Sequence, residues 1–159
     1  TDGEIFSSAA IVNGRVIFGS YDNHLYALKI ADGTLAWKYQ TDGYVHCAPA
    51  IAGKYTFIAG CDEHLRIIDI DTGKLHADFP LQTYLIASPA VIDRHLYVGT
   101  YASEVVAVDW QALKVEWRYK TGDAEFPFHS SAAVTNDLIV VGGRDKQVHA
   151  IRRATGERA

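Results

Sequence analysis

Ser8-Ala9-Ala10-Ile11 recurs as Ala48-Pro49-Ala50-Ile51, as Ser88-Pro89-Ala90-Val91 and as Ser131-Ala132-Ala133-Val134, at steps of 40, 40 and 43 residues. A second marker keeps the same phase: Asp22-Asn23-His24-Leu25, Asp62-Glu63-His64-Leu65, Ala102-Ser103-Glu104-Val105 and Asp145-Lys146-Gln147-Val148. A third is Asp32-Gly33, Thr72-Gly73 and Thr155-Gly156, with Ala112-Leu113 at that place in the third unit. Three markers in one phase define four tandem units of about 40 residues, a period that belongs to repeat architectures. Their approximate bounds are 1–40, 41–81, 82–120 and 121–159, read together as one domain.

Within each unit the apolar period is two. Arg15-Val16-Ile17-Phe18-Gly19 and His95-Leu96-Tyr97-Val98-Gly99 are rich in β-branched and aromatic residues and are bounded by turn signals. Asn13-Gly14 suits the two left-handed positions of a tight type I′ hairpin, and Asn136-Asp137 sits at the same place in the fourth unit. Each unit therefore predicts four antiparallel strands. An all-β propeller with four blades follows, with the last blade short of its outer strand. Ser, Ala and Pro in the first strands suit crowding near a central axis. Trp37 and Trp117 stand at equivalent outer places, where a large ring wedges neighbouring sheets together by core packing.

These residues resemble the quinoprotein, or PQQ-like, propeller repeat, whose outer motif reads roughly Ala-x-Asp-x-x-Thr-Gly-x-x-x-Trp. The first unit has Ala27, Asp32, Gly33 and Trp37; the second has Asp69, Thr72, Gly73 and Ala77. The third has Ala107, Asp109, Ala112, Leu113 and Trp117; the fourth has Ala150, Arg152, Thr155 and Gly156 and stops short of the tryptophan place. The resemblance covers the whole chain. It is nearest to the PQQ-binding-like repeat proteins of bacteria and more distant from the scaffold propeller of outer-membrane assembly. It implies a ring of seven or eight blades, a periplasmic or extracytoplasmic setting and a protein-binding or assembly role. A homodimer of two four-bladed halves would complete eight blades; blades on further sequence would do the same.

Bulk properties exclude several classes. The chain has 159 residues, 48% hydrophobic and 21% charged, with a net charge of −4, so nucleic acid is not an expected partner. No apolar run reaches the roughly 18–20 residues of a membrane-spanning helix, so membrane insertion is not expected. Thr1-Asp2-Gly3-Glu4 has neither a basic nor an apolar leader region and methionine is absent, so a piece of a longer or processed chain is expected.

Catalytic signatures are missing. A PQQ-dependent dehydrogenase, the alternative that the resemblance raises, would need calcium, a catalytic aspartate and, in many alcohol dehydrogenases, adjacent cysteines; Cys47 and Cys61 are not adjacent. With Gly53-Lys54 as a hairpin turn, the two thiols point to opposite sides of a sheet and are expected to be unlinked. Asp69-Ile70-Asp71-Thr72-Gly73 hints at a calcium loop, but Pro80 stands where an EF-hand needs its bidentate glutamate. The repeat makes that segment a turn, and Asp22, Asp62, Asp145, His24 and His64 turn residues likewise. No catalytic residue, metal site or cofactor is expected, with PQQ and calcium reserved for the alternative.

Propellers usually bind on the face built by the loops between units and the loops joining second to third strands. The first loop set carries Tyr44, His46, Tyr84, Phe126, Phe128 and His129, and the second carries Tyr21, Tyr101 and Arg144. These residues form the expected binding face. The three extra residues of the fourth unit fall within 121–129, and an insertion in one repeat commonly marks such a face. Trp110 stands alone in a third-to-fourth-strand turn, as a second contact point or a loop anchor.

Overall fold

The computed structural model describes residues 1–122 and 126–159, and it holds fifteen strands with no α-helix among those residues. The chain divides into two compact units, Thr1–Gln82 and Thr83–Ala159. The first unit holds two four-stranded antiparallel sheets. One runs in the order β1 (Ala10–Val12), β2 (Arg15–Ser20), β3 (His24–Lys29), β4 (Leu35–Gln40). The other runs β5 (Ala50–Ala52), β6 (Tyr55–Ala59), β7 (His64–Asp69), β8 (Leu75–Pro80). The second unit repeats the plan with β9 (Ala90–Ile92), β10 (His95–Gly99), β11 (Glu104–Asp109) and β12 (Lys114–Lys120). Its other sheet has three strands, β13 (Ala133–Val134), β14 (Leu138–Gly142) and β15 (Val148–Arg152). This is the meandering four-stranded blade of a β-propeller.

Turn chemistry sets the registers. Val12 pairs with Arg15 across Asn13-Gly14, whose φ values of 47° and 70° give the expected type I′ geometry. Ala52 pairs with Tyr55 across Gly53-Lys54, also as expected. The fourth sheet departs from the pattern: neither Asn136 nor Asp137 has a positive φ. There the Asp137 and Leu138 N–H groups donate to Thr135 Oγ1 at 3.3 and 2.9 Å, so a threonine side chain shapes the turn. At the β2–β3 type of turn the left-handed residues are Asn23, Glu63, Ser103 and Lys146, one per sheet. The outermost place of the fourth sheet is begun by the last residues: Arg152 N–H donates to Glu157 O at 2.7 Å and Ala159 N–H to Ala150 O at 2.8 Å.

Each unit is joined across its two sheets by one indole. Trp37 Nε1 donates to Ile70 O at 2.8 Å and Trp117 Nε1 to Arg153 O at 3.1 Å, so these rings hydrogen-bond as well as pack. A β-bulge one step before each tryptophan, between Ala27/Leu28 and Ala107/Val108, bends the strand and re-aims its side chains. The ring then lies on the glycine of the next sheet's third-to-fourth-strand turn. A Cβ on Gly73 would stand 2.6 Å from Trp37 Cδ2, and one on Gly156 2.6 Å from Trp117 Cδ2. β8 carries Ala77 at the tryptophan place, and Ala112-Leu113 stands in place of Thr-Gly in the β11–β12 turn.

The apolar cores follow the same repeat. In the first unit Ile17, Leu25, Ala27, Trp37, Val45, Ile58, Ile68 and Ile70 form one buried cluster. In the second, Tyr97, Val105, Ala107, Tyr119, Phe128, Ile139, Val141 and Ile151 form its counterpart. Burying side chains of this size stabilises by roughly 1.5–3 kcal/mol each.

Alanine at Gly73 or Gly156 must therefore carry a left-handed φ and also displace an indole, whereas Gly33, at φ 70°, has open space around its Cβ position. Gly33→Ala is expected to cost about 1 kcal/mol for the backbone alone. Gly73→Ala and Gly156→Ala are expected to cost about 1–3 kcal/mol more through overpacking. Urea unfolding of the three variants checks the ranking.

Candidate binding face

In the first unit, the loop before β1 and the loop between β4 and β5 run beside the β2–β3 and β6–β7 turns. Tyr21 N–H donates to Glu4 O at 2.9 Å, Val45 N–H to Ser20 O at 3.2 Å, and Cys61 N–H to Tyr44 O at 3.3 Å. Two aspartates tie the loops down: Asp22 Oδ2 accepts from Asp2 N–H at 2.9 Å, and Asp62 Oδ2 from Asp42 N–H at 3.1 Å. Asp22 also accepts the Tyr26 hydroxyl at 2.6 Å. Burial alone would raise the Asp22 carboxyl, but the hydrogen bonds from Tyr26, Asp2 and Ser20 outweigh it and hold it below the usual range. The same Asp22 bond is the first cause that pushes the Tyr26 hydroxyl up to about 12. Asp62 takes Arg66 Nη1 at 2.6 Å, and Asp145 takes His149 Nε2 at 2.9 Å. These aspartates are structural turn residues, as the repeat predicts.

On this frame the rings assemble. Tyr21 and Tyr44 stack at 4.7 Å with planes 6° apart. Tyr21 Oη lies 2.8 Å from His46 Nδ1. Phe6 lies 4.9 Å from the Tyr21 ring and 6.0 Å from the His46 ring. Tyr44 is 52% exposed and Phe6 59%, while Tyr21 and His46 are half-buried, so the cluster is a prepared surface. Three of the expected residues, Tyr21, Tyr44 and His46, therefore meet in one place.

Phe6 was not among the expected residues. The 40-residue step that places His46 puts Phe6 at the same position in the first repeat, which is the signal that marks it.

In the second unit Tyr84 and Tyr101 are exposed, and Tyr101 N–H donates to Tyr84 O at 3.0 Å. The exposed His129 ring lies 6.1 Å from the Tyr101 ring. Tyr101 and Arg144 line a cavity of about 550 Å³ with Ala102, Ser103 and Pro127. Phe126 is 41% exposed.

Phe128 is a correction: it is fully buried, 5.2 Å edge-on from His149 and 6.4 Å from Tyr119. Its repeat counterparts are Val45 and Leu85, both also fully buried, so the 43-residue step assigns it to the core and gives the exposed place to Pro127. Of the insertion-bearing loop, Asp123, Ala124 and Glu125 lie outside the described residues.

The remaining candidates for chemistry are occupied by structure. Asp69 Oδ1 accepts from Asp71 N–H, Thr72 N–H and Thr72 Oγ1 within 3.1 Å, which closes the turn of 69–73 on its own groups. No group of three His, Cys, Asp or Glu placed to hold a metal occurs among the described residues. Cys47 and Cys61 are thiols, not a disulfide, and burial pushes the Cys47 thiol up to about 12. Trp110 Nε1 donates to Asp93 O at 3.1 Å, a loop anchor. In a second cavity of the second unit, about 820 Å³, Arg153 binds Tyr97 Oη at 2.9 Å and Asp93 at 3.1 Å, and His95 lies 3.1 Å from Glu116.

The family model described as outer membrane protein assembly factor BamB matches residues 2–76 and 48–159. The chain belongs to this family of PQQ-like repeat proteins. No curated protein sequence matches it. Its fold is similar to the crystal structure of BamB from Moraxella catarrhalis, with a TM-score of 0.83 at 16% identity over 99% of this chain and 52% of that one. It is similar to the computationally designed Ika4 protein, TM-score 0.83 and 15% identity over 96% of this chain and 92% of Ika4. It is also similar to the quinohemoprotein alcohol dehydrogenase ADHIIG from Pseudomonas putida HK5, TM-score 0.83 and 17% identity over 99% of this chain and 34% of the enzyme. The chain thus spans about half the length of the BamB structure. These likenesses establish the propeller fold. No helix is long and apolar enough to cross a membrane among the described residues.

One electrostatic feature of the loop end of the second unit is directly testable. Burial would raise the Glu104 carboxyl, but its hydrogen bonds to Lys120 and Arg118, at 2.8 and 2.7 Å, hold it below its ordinary value. A depressed folded pKa stabilises above the unfolded value of about 4.3 and ceases to as pH falls through the folded value. Glu104→Gln is expected to lose about 2 kcal/mol of unfolding free energy at pH 7, with the gap to the parent closing below about pH 4. Urea titrations at stepped pH values measure it.

Proposed function

We propose that the chain is a non-catalytic propeller repeat module, periplasmic or extracytoplasmic, that acts as a protein-binding or assembly scaffold and joins a second copy to complete eight blades. The uncovered sheet faces carry this reading. Val148 in β15 is 75% exposed, while its counterparts Leu25, Leu65 and Val105 are fully buried. Ile11 in β1 is 73% exposed, whereas Ile51, Val91 and Val134 are all half-buried. An exposed apolar sheet face of this kind is an association surface, and a further blade has the shape to cover it. The similarity of fold to an assembly factor accords with the reading.

Catalysis by bound PQQ is the competing reading, drawn from the fold likeness to an alcohol dehydrogenase. The carboxylates Asp22, Asp62, Asp69 and Asp145 are engaged in turns and ion pairs, which favours the scaffold. The expected result of adding PQQ and calcium is no change in the quinone absorbance beyond that of free cofactor.

Size exclusion with light scattering tests the assembly. The expected mass is near twice the 17.5 kDa chain, and Val148→Glu is expected to return it to a single chain. A single-chain mass for the unaltered protein at every concentration would overturn the homodimer.

A further inference from the structure

The first unit's ring cluster differs from an ordinary apolar patch in its surroundings. Residues 1–9, 20–24, 41–49 and 60–64, the loops at that end of its two sheets, hold six carboxylates and no lysine or arginine. They are Asp2, Glu4, Asp22, Asp42, Asp62 and Glu63. Arg66, from β7, is almost fully buried and binds Asp62 at 2.6 Å and Asp42 at 3.1 Å, with Asp78 at 3.5 Å. It offsets part of this charge and leaves Asp2, Glu4 and Glu63 without a cation among the described ion pairs. Glu4 is exposed, and its backbone carbonyl accepts the Tyr21 N–H at 2.9 Å, which sets it beside the ring cluster. The corresponding loops of the second unit carry Arg144 and Lys146, so the acidic character is particular to the first.

Electron-rich ring faces beside uncompensated carboxylates have one complementary occupant. A cation over a tyrosine or phenylalanine face gains from the ring quadrupole, and a planar guanidinium stacks on the ring while its N–H groups reach a carboxylate. The Tyr21–Tyr44 stack and the Tyr21–His46 contact hold these rings in place before anything binds, which lowers the ordering cost of association.

We infer that the surface formed by Phe6, Tyr21, Tyr44 and His46 docks an arginine-bearing basic segment of a protein partner, with Glu4 as the carboxylate that receives the guanidinium. This deepens the scaffold reading and rests on its premise that the loop end binds protein.

The test is an NMR titration of the full chain with the peptide acetyl-Gly-Arg-Gly-Arg-Gly-amide. Three comparison peptides replace both arginines by lysine, by the isosteric but neutral citrulline, or by glutamate. The arginine peptide is expected to shift resonances of Phe6, Tyr21 and Tyr44, the lysine peptide to bind several-fold more weakly, and the other two not at all. Tyr44→Ala is expected to weaken arginine-peptide binding roughly fivefold. Tyr44→Phe restores it, and Tyr84→Ala in the second unit leaves it unchanged. Citrulline binding as well as arginine, or glutamate shifting the same resonances more strongly, would overturn the cation proposal while leaving the loop end as a binding surface. Failure of every peptide to perturb these residues, or equal binding by Tyr44→Ala, would overturn the arginine docking, while the scaffold reading stands or falls on the solution mass.

Discussion

An indole seated on a glycine organises each unit. Trp37 on Gly73 and Trp117 on Gly156 combine a hydrogen bond to a turn carbonyl with close ring-to-backbone packing that no side chain larger than hydrogen permits. A four-stranded antiparallel sheet has two faces, and an apolar face must be buried against another element. The indole supplies apolar area between the two sheets of its unit, and its N–H donates to a carbonyl of the facing turn. Replacing the buried Trp37 ring by alanine costs about 3–5 kcal/mol, a large share of an ordinary domain's stability. The bulge one residue before each ring recurs one residue before Ala77, so it belongs to the repeated sheet, and the indole makes use of it.

With the sheets fixed in this way, the loops at one end are free to vary. The turn aspartates Asp22 and Asp62 accept N–H groups from the neighbouring inter-sheet loop, so each loop is anchored to the turn beneath it. That anchoring makes the Phe6, Tyr21, Tyr44 and His46 arrangement a fixed constellation. The division of labour is general: a scaffold sets positions, and the residues displayed on it set chemistry. Here the displayed residues are aromatic and acidic, while the titratable groups beneath them are already engaged in turns.

The architecture was legible because a repeat imposes the same physical demand at the same place four times. The Asn13-Gly14 hairpin, the unlinked thiols and the turn role of the aspartates followed from local rules. What was harder to read depended on partners distant in sequence. The tryptophans appeared as packing residues, since the carbonyls that receive their N–H groups lie 33 and 36 positions away. An aromatic in a loop, such as Phe128, resembles a contact residue; its buried counterparts Val45 and Leu85 show which face the chain presents there. Phe6 precedes the first sheet, outside any loop between units, and only the 40-residue step to His46 marks it. Asn136-Asp137 resembled a hairpin signal, but the preceding Thr135 hydroxyl satisfied the turn without left-handed residues.

A double-mutant cycle on urea-unfolding free energies, pairing Trp37→Ala with Gly73→Ala, tests the organising interaction most directly. If the indole sits on the glycine as described, Gly73→Ala in the Trp37→Ala background costs no more than its left-handed backbone, about 1 kcal/mol. The two changes are then strongly non-additive, with a coupling of about 1–3 kcal/mol. Additive losses, with Gly73→Ala costing the same whether or not the indole is present, would contradict the account.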